Sequence, residues 1–186
     1  MLKVSKSNSE QDLVAALKRG EESAYTEILT KHKLQISNTV IGMLGAIPEA
    51  EDVGQEVFIR FFRNINNFKG EAKISTYLTR IAINLSLNEL ERRKRKWKVF
   101  YTGDYSEGKI QNAYFQDDNK DDERPVLLRK ATLALAKKYR QVIVLRAIQS
   151  YSFKEIAEIL QVPIGTVLTR YSRAQKQLIE MLNKEL

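Results

Sequence analysis

Pro163 divides two stretches of helical periodicity, and that interruption constrains the C-terminal end of the chain more than any other feature. Upstream of it, Ser152 can cap a short helix, with Glu155 three residues on completing a capping box. Ile156, Ala157 and Leu160 give that helix one apolar face. Pro163 has no N–H to donate and biases Val162 away from helix. A second helix restarts near Ile164 to Thr166, with Val167, Tyr171, Ala174, Leu178 and Leu182 as a sustained apolar stripe. Two helices across a tight turn form a helix-turn-helix, whose second helix enters the DNA major groove. Thr166, Thr169, Arg170 and Arg173 lie off the stripe. The threonines can donate to phosphates, and the arginines can neutralise phosphate or read guanine. An ordinary helical hairpin with a solvated basic face is the alternative. The Pro-Ile-Gly-Thr-Val turn, the length and the arginine placement favour DNA.

Charge agrees with a polyanionic partner: 31 Lys and Arg against 23 Asp and Glu give +8, with a pI near 9.6. It is unevenly spread. Residues 1–100 carry 17 basic and 12 acidic side chains, 101–124 carry 3 and 7, and 125–186 carry 11 and 4. Two basic blocks about an acidic one suggest two nucleic-acid-facing domains on a tether. With no Cys and one His, a disulfide, a zinc finger and a thiol nucleophile are excluded. No signal peptide is evident, and no apolar run approaches the ~20 residues needed to span a bilayer. The expected setting is soluble, reducing and cytoplasmic, with no membrane insertion.

In chain order, Met1 to Asn8 looks loose, and Ser9 or Asp12 opens a helix that Gly20 stops. A helix from about Glu22 to Leu44 follows, with Tyr25, Ile28, Leu29, Ile36 and Val40 apolar; His32 between two lysines reads as a solvated surface residue. Pro48 starts a helix to about Asn64, its first turn acidic as the helix dipole favours. Ala50, Val53, Val57 and Phe61 face inward, which leaves Gln55, Glu56, Ile59 and Arg60 for a partner or solvent. The acids there are explained by the helix terminus, and no metal site is expected. Asn64 to Ser75 is a polar loop whose aromatic, Phe68, suits a splayed base or else plugs the core. Ser75 caps a helix to about Arg95 with core face Tyr77, Leu78, Ile81, Ala82 and Leu85. It ends in a basic run, Arg92, Arg93, Lys94, Arg95 and Lys96, suited to phosphates. Phe100 to Arg124 has no period and reads as an acidic linker. Pro125 to Ala136 and Lys138 to Ile148 are helices leading into the helix-turn-helix.

The motifs in this order resemble a known family. Pro48 to Phe62 is similar to the polymerase-binding helix of bacterial extracytoplasmic-function (ECF) sigma factors. Phe68-Lys69-Gly70-Glu71, Thr76-Tyr77-Leu78 and Arg80 to Asn84 resemble that family's promoter-melting loop and helix. The helix-turn-helix resembles its reader of the −35 element. The resemblance implies an all-α chain of two small helical domains joined by a flexible linker. Residues 9–98 would bind core polymerase and the −10 element, 99–124 would be the linker, and 125–186 would bind the −35 element. It further implies that Asp52, Gln55, Glu56, Phe58, Ile59 and Arg60 contact polymerase. Phe68, Lys69, Gly70, Arg80 and Asn84 would handle the −10 strand and a flipped base, with Arg92 to Lys96 on phosphates. Partners would be core RNA polymerase, promoter DNA and an anti-sigma factor, with no cofactor and no catalytic residue. Leu168 departs from the family's usual basic residue, leaving a thymine-methyl contact there at most. Gly54 within the third helix costs roughly 1 kcal/mol of propensity against Ala.

Two other classes compete. A self-sufficient helix-turn-helix regulator would need a dimer seam that the sequence lacks. A metal-dependent nucleic-acid enzyme would need a convergent cluster of acids or histidines.

Overall fold

A computed structural model describes residues 10–100 and 123–185. Among these there are eight α-helices and no strand: α1 Glu10–Lys18, α2 Glu22–Leu44, α3 Pro48–Arg63, α4 Ile74–Phe100, α5 Glu123–Ala134, α6 Lys137–Ile143, α7 Phe153–Leu160 and α8 Ile164–Glu185. Most of the linker expected over 99–124, and the loose N-terminus, lie outside the described residues.

In the N-terminal half, α2, α3 and α4 pack on one another through residues at helical spacing. Ile28, Ile36, Val40 and Met43 of α2 meet Val57 and Phe61 of α3 and Leu78 and Ala82 of α4. Leu29, expected in the core, is exposed, because it is rotated about 100° round the helix from Ile28 and falls off the Ile28–Ile36 face. His32 corrects the expectation of a solvated residue. It is buried on the Ile28–Ile36 face with Nδ1 3.1 Å from Gln35 Oε1, and burial lowers its pKa. Nor does Ser75 cap α4: the helix begins at Ile74, whose N–H donates to Glu10 Oε1 at 2.6 Å. An acid on α1 thereby satisfies a donor that a terminal residue of α4 usually leaves open.

In the C-terminal half, α5 and α6 pack on α8 through Ala131, Leu135, Tyr139, Ile143, Ala174 and Leu178. After Ile143 the helix loosens into a π turn, Val144–Ile148, with Gln149 N–H donating to Val144 O. Ser150 then takes a left-handed conformation, φ 58°, and turns the chain toward α7.

The two halves are in contact. Val142, Val144, Leu145, Tyr151, Ile156, Ile159 and Val167 join the N-terminal core as one cluster. Gly42, inside α2, lies so near the π turn that a Cβ would sit 3.0 Å from Val144 and Ile148 side-chain carbons. Glycine inside a helix costs roughly 1 kcal/mol relative to alanine, and here it permits that approach.

Candidate nucleic-acid interface

The helix-turn-helix is set by local hydrogen bonding. Ser152 Oγ accepts from Glu155 N–H at 3.2 Å, and Glu155 Oε2 accepts from Ser152 N–H at 2.9 Å, completing the box read from the sequence. The Ser152 backbone and then its hydroxyl hold the Glu155 carboxyl below its ordinary range. Gln161 ends α7 in the left-handed region, φ 54°, and its N–H donates to Ala157 O. Pro163 O then accepts from Thr166 and Val167 N–H, opening α8. Val167, Ala174 and Leu178 of the expected stripe are buried, and Tyr171 packs edge-on against Phe153 with centroids 5.2 Å apart.

The opposite face of α8 is open. Leu168, Thr169 and Arg173 are exposed, and Thr166 and Arg170 are half-buried. Thr169 Oγ1 donates to Gly165 O at 2.9 Å, so its proton is committed to the helix and its lone pairs face outward. Gly165, Thr166, Thr169, Arg170 and Arg173 line a cleft of about 350 Å³ together with Lys138 and Tyr139 of α6. Three of its lining residues are cations and none is an acid. A hydrogen bond with Arg173, aided by Lys138 nearby, lowers the Tyr139 phenol pKa. The Lys138 ammonium lies 5.0 Å from the Tyr139 ring centroid. Sequence reasoning missed Lys138 and Tyr139. Their helix has no turn motif of its own, and only packing brings it beside α8.

On α3, Asp52, Gln55, Ile59 and Arg60 are exposed and Glu56 is half-buried. They form one stripe at i, i+3/i+4, i+7/i+8 spacing, and Arg60 donates to Glu56 at 2.7 Å. Phe58, which the resemblance would place against polymerase, is instead buried, 6.4 Å from Phe62 between centroids. Gly54 has nothing within 4 Å of a would-be Cβ.

The loop and α4 differ more from expectation. Phe68 is 6% exposed, its ring edge-on to Phe61 and Tyr77 at 6.0 and 5.1 Å. The loop closes over the core with this ring as its plug, and the ring has no face left for a base. Lys18 Nζ donates to Phe68 O at 3.0 Å. Lys69 and Gly70 at the tip are exposed, and Gly70 needs its glycine for φ 74°. Asn84 is exposed on α4, whereas Arg80 Nη2 donates to Glu158 O of α7 at 2.8 Å.

The basic run is partly committed inside the protein. Arg92 and Arg93 both pair with Glu89, at 2.6 and 2.9 Å, and Arg93 reaches Glu49 of α3 at 3.2 Å. Burial pushes the Glu89 carboxyl up, but the hydrogen bonds from Arg92 and Arg93 outweigh it and hold it below its ordinary value. Arg93, expected with its neighbours to hold phosphates, is only 12% exposed and serves here as a structural tie between helices. Arg95 and Lys96 are exposed and Lys94 half-buried. Among the described residues no cluster of His, Asp and Glu could hold a metal, and no helix is long and apolar enough to cross a membrane.

Comparison with known proteins places two family models on the chain in order: sigma-70 region 2 over residues 28–96 and sigma-70, region 4 over 126–178. The chain is 35% identical over 176 residues to the ECF RNA polymerase sigma factor SigW of Bacillus subtilis, covering 91% of this chain and 94% of that one. It is 29% identical over 182 residues to the RNA polymerase sigma-H factor of Pseudomonas aeruginosa, covering 93% of each. Two solved structures share the fold at 19% identity. The sigma factor RpoE of Bartonella quintana, in complex with the anti-sigma factor NepR, aligns at TM-score 0.69 over 86% of this chain and 96% of its own. CnrH, in complex with the cytosolic domain of CnrY, aligns at 0.70 over 95% and 99%.

Proposed function

Because the chain belongs to the extracytoplasmic-function family of RNA polymerase sigma factors, we propose a division of its surface among three sets of contacts. The chain binds core RNA polymerase and directs promoter recognition and transcription initiation. We assign the polymerase contact to the α3 stripe of Asp52, Gln55, Glu56, Ile59 and Arg60, with Phe58 buried on the same helix. The exposed tip residues Lys69 and Gly70, with Asn84 and Arg80 on α4, form the −10 surface. Phe68 shapes that loop from the core side. Lys94, Arg95 and Lys96, with the exposed portion of Arg92, hold phosphates of the same segment. Thr166, Leu168, Thr169, Arg170 and Arg173 meet the −35 element, and Lys138 and Tyr139 extend that surface to the adjacent backbone. Leu168 is 46% exposed, so a methyl-bearing base edge suits it.

The observation that carries this reading is the order of the two regions, one on each half of the chain. A self-sufficient regulator would leave the region 2 half without a role. An anti-sigma factor is the expected regulatory partner, since the RpoE neighbour is held by one. The chain acts as a specificity subunit, and the bond-forming chemistry is the polymerase's. The test is in vitro transcription with core polymerase and genomic DNA, with the 5′ ends sequenced. Discrete start sites that need both components are expected. Specific duplex binding without polymerase, and no start sites with it, would overturn the reading.

A further inference from the structure

We propose that α1 braces the loop between α3 and α4, and that Glu10 and Lys18 are positioning residues for strand opening. The proposal rests on the assignment of that loop and of α4 to the −10 element.

The loop has little of its own to fix its path. From Phe68 to Lys73 the backbone forms no helical turn. Gly70 sits at φ 74°, and glycine visits that region about as readily as negative φ. Such a segment samples many paths unless something outside it removes them. Lys69, Gly70 and Glu71 at the tip are exposed, so the core does not hold them. The two ends are what is held. Phe68 enters the core as a plug, and Ile74 is buried where α4 begins.

Helix α1 reaches both ends. Leu13 and Leu17 bury one face of it in the same cluster as Phe68 and Ile74. Glu10 opens α1 and Lys18 closes it, which sets them roughly 12 Å apart along the axis. Lys18 Nζ donates to the Phe68 carbonyl at 3.0 Å, and Glu10 Oε1 accepts from the Ile74 N–H at 2.6 Å. Each bond has an ionic group on the α1 side, the stronger class of hydrogen bond. Each also ends on a main-chain atom of the loop. Together they fix where the backbone leaves the core and where it returns, whatever side chains the tip bears. The Glu10 bond acts further. It places a carboxylate at the N-terminus of α4, where the helix dipole favours it. It thereby sets the first turn of the helix that carries Arg80 and Asn84.

A melted strand is captured by one shape of this loop. When other shapes are populated, apparent affinity falls by the fraction that is competent. Ordering the loop at the moment of binding also costs affinity, and a loop held in advance avoids that cost. Helix α1 contributes no residue to the α3 stripe or to the open face of α8. Loosening the brace therefore acts on strand opening and leaves the polymerase contact and the −35 contact as they are.

The experiment uses the full chain with core RNA polymerase and a promoter duplex taken from the start-site mapping above. The duplex carries 2-aminopurine in its −10 segment, so fluorescence follows strand opening. Lys18→Met keeps the apolar stem and removes the donor, and Glu10→Ala removes the acceptor. Lys18→Arg and Glu10→Gln keep a donor and an acceptor in place. Removal of either bond should slow opening roughly three- to tenfold, the worth of one hydrogen bond, with polymerase affinity unchanged. The two conservative variants should restore most of the rate. Wild-type opening in Lys18→Met and Glu10→Ala would overturn the proposal. So would a loss of polymerase affinity in step with the loss of opening, or slow opening in the conservative variants too, since each would mean that α1 only supports the fold. Lys69→Ala and Asn84→Ala check the −10 assignment separately. If both open the duplex at the wild-type rate, that assignment fails and the brace falls with it; if both are slow while the α1 variants are not, the brace alone is wrong.

Discussion

The two surfaces assigned to DNA differ in how free their side chains are. On α8, Leu168 is exposed, and Thr169 and Arg173 line an open cleft to which α6 adds Lys138 and Tyr139. On α4, Arg80 is held by a carbonyl of α7, and Arg92 and Arg93 by Glu89. One surface is formed and waiting; the other is tied into the fold. The contrast fits their substrates. A duplex groove has fixed geometry and suits a preformed helix face, whereas a melted strand must be drawn out and rewards contacts that form as it opens.

The strongest way to break this contrast is Phe68→Ala. Truncating a buried aromatic ring costs about 3–5 kcal/mol, which for a chain of this size lowers Tm by roughly 6–20 °C. A thermal melt checks it. An unchanged Tm with lost −10 strand binding would mean that the ring is a base platform after all, and that the α4 surface is as open as that of α8. Next comes Arg173→Ala, expected to weaken use of the upstream element by about 1–3 kcal/mol with little change in Tm. Transcription from templates with and without that element measures it. Equal loss on both templates would remove Arg173 from specific reading. Tyr139→Phe should follow Arg173→Ala in direction at roughly 0.5–1.5 kcal/mol, the worth of one hydrogen bond. If it leaves element use intact, the phenol does not position the guanidinium.

The same contrast separates what the sequence made legible from what it hid. The helix-turn-helix was readable because its determinants are local. Ser152 and Glu155 are three residues apart, Pro163 breaks the period, and Val167, Ala174 and Leu178 recur at helical spacing. The α3 stripe was readable for the same reason, whereas Phe58 was added to it only by the family resemblance and is buried. Phe68 was legible only as a choice between base platform and core plug, and His32 was misread as a surface residue. A loop has no period to place Phe68 against Phe61 and Tyr77, and the lysines flanking His32 mask a helical position between Ile28 and Ile36. Arg93 looked like one cation in a basic run until Glu49 of α3 came beside it. Contact between the halves depended on pairs far apart in the chain, such as Gln35 with Tyr151, 116 residues on. Nothing in either helical pattern announces those pairs.

Acid titration offers the smallest and most local comparison of the two halves. Burial lowers the His32 pKa in α2, so the unfolded chain takes up a proton more readily than the folded one. Stability from the N-terminal half is therefore whole above about pH 6.5 and declines as pH falls below it. Glu155, in the cap of α7, is shifted down by Ser152, so its contribution is whole above about pH 4.3 and is lost only as pH falls through its folded value. His32→Asn should flatten the stability slope between pH 7 and 5 without touching the more acidic limb. Ser152→Ala should cost about 1 kcal/mol at neutral pH, a cost that shrinks toward pH 3. Denaturant unfolding across this range measures both. If a single slope persists in both variants, the cap and the buried imidazole are not titrating separately, and the two halves cannot be told apart by acid.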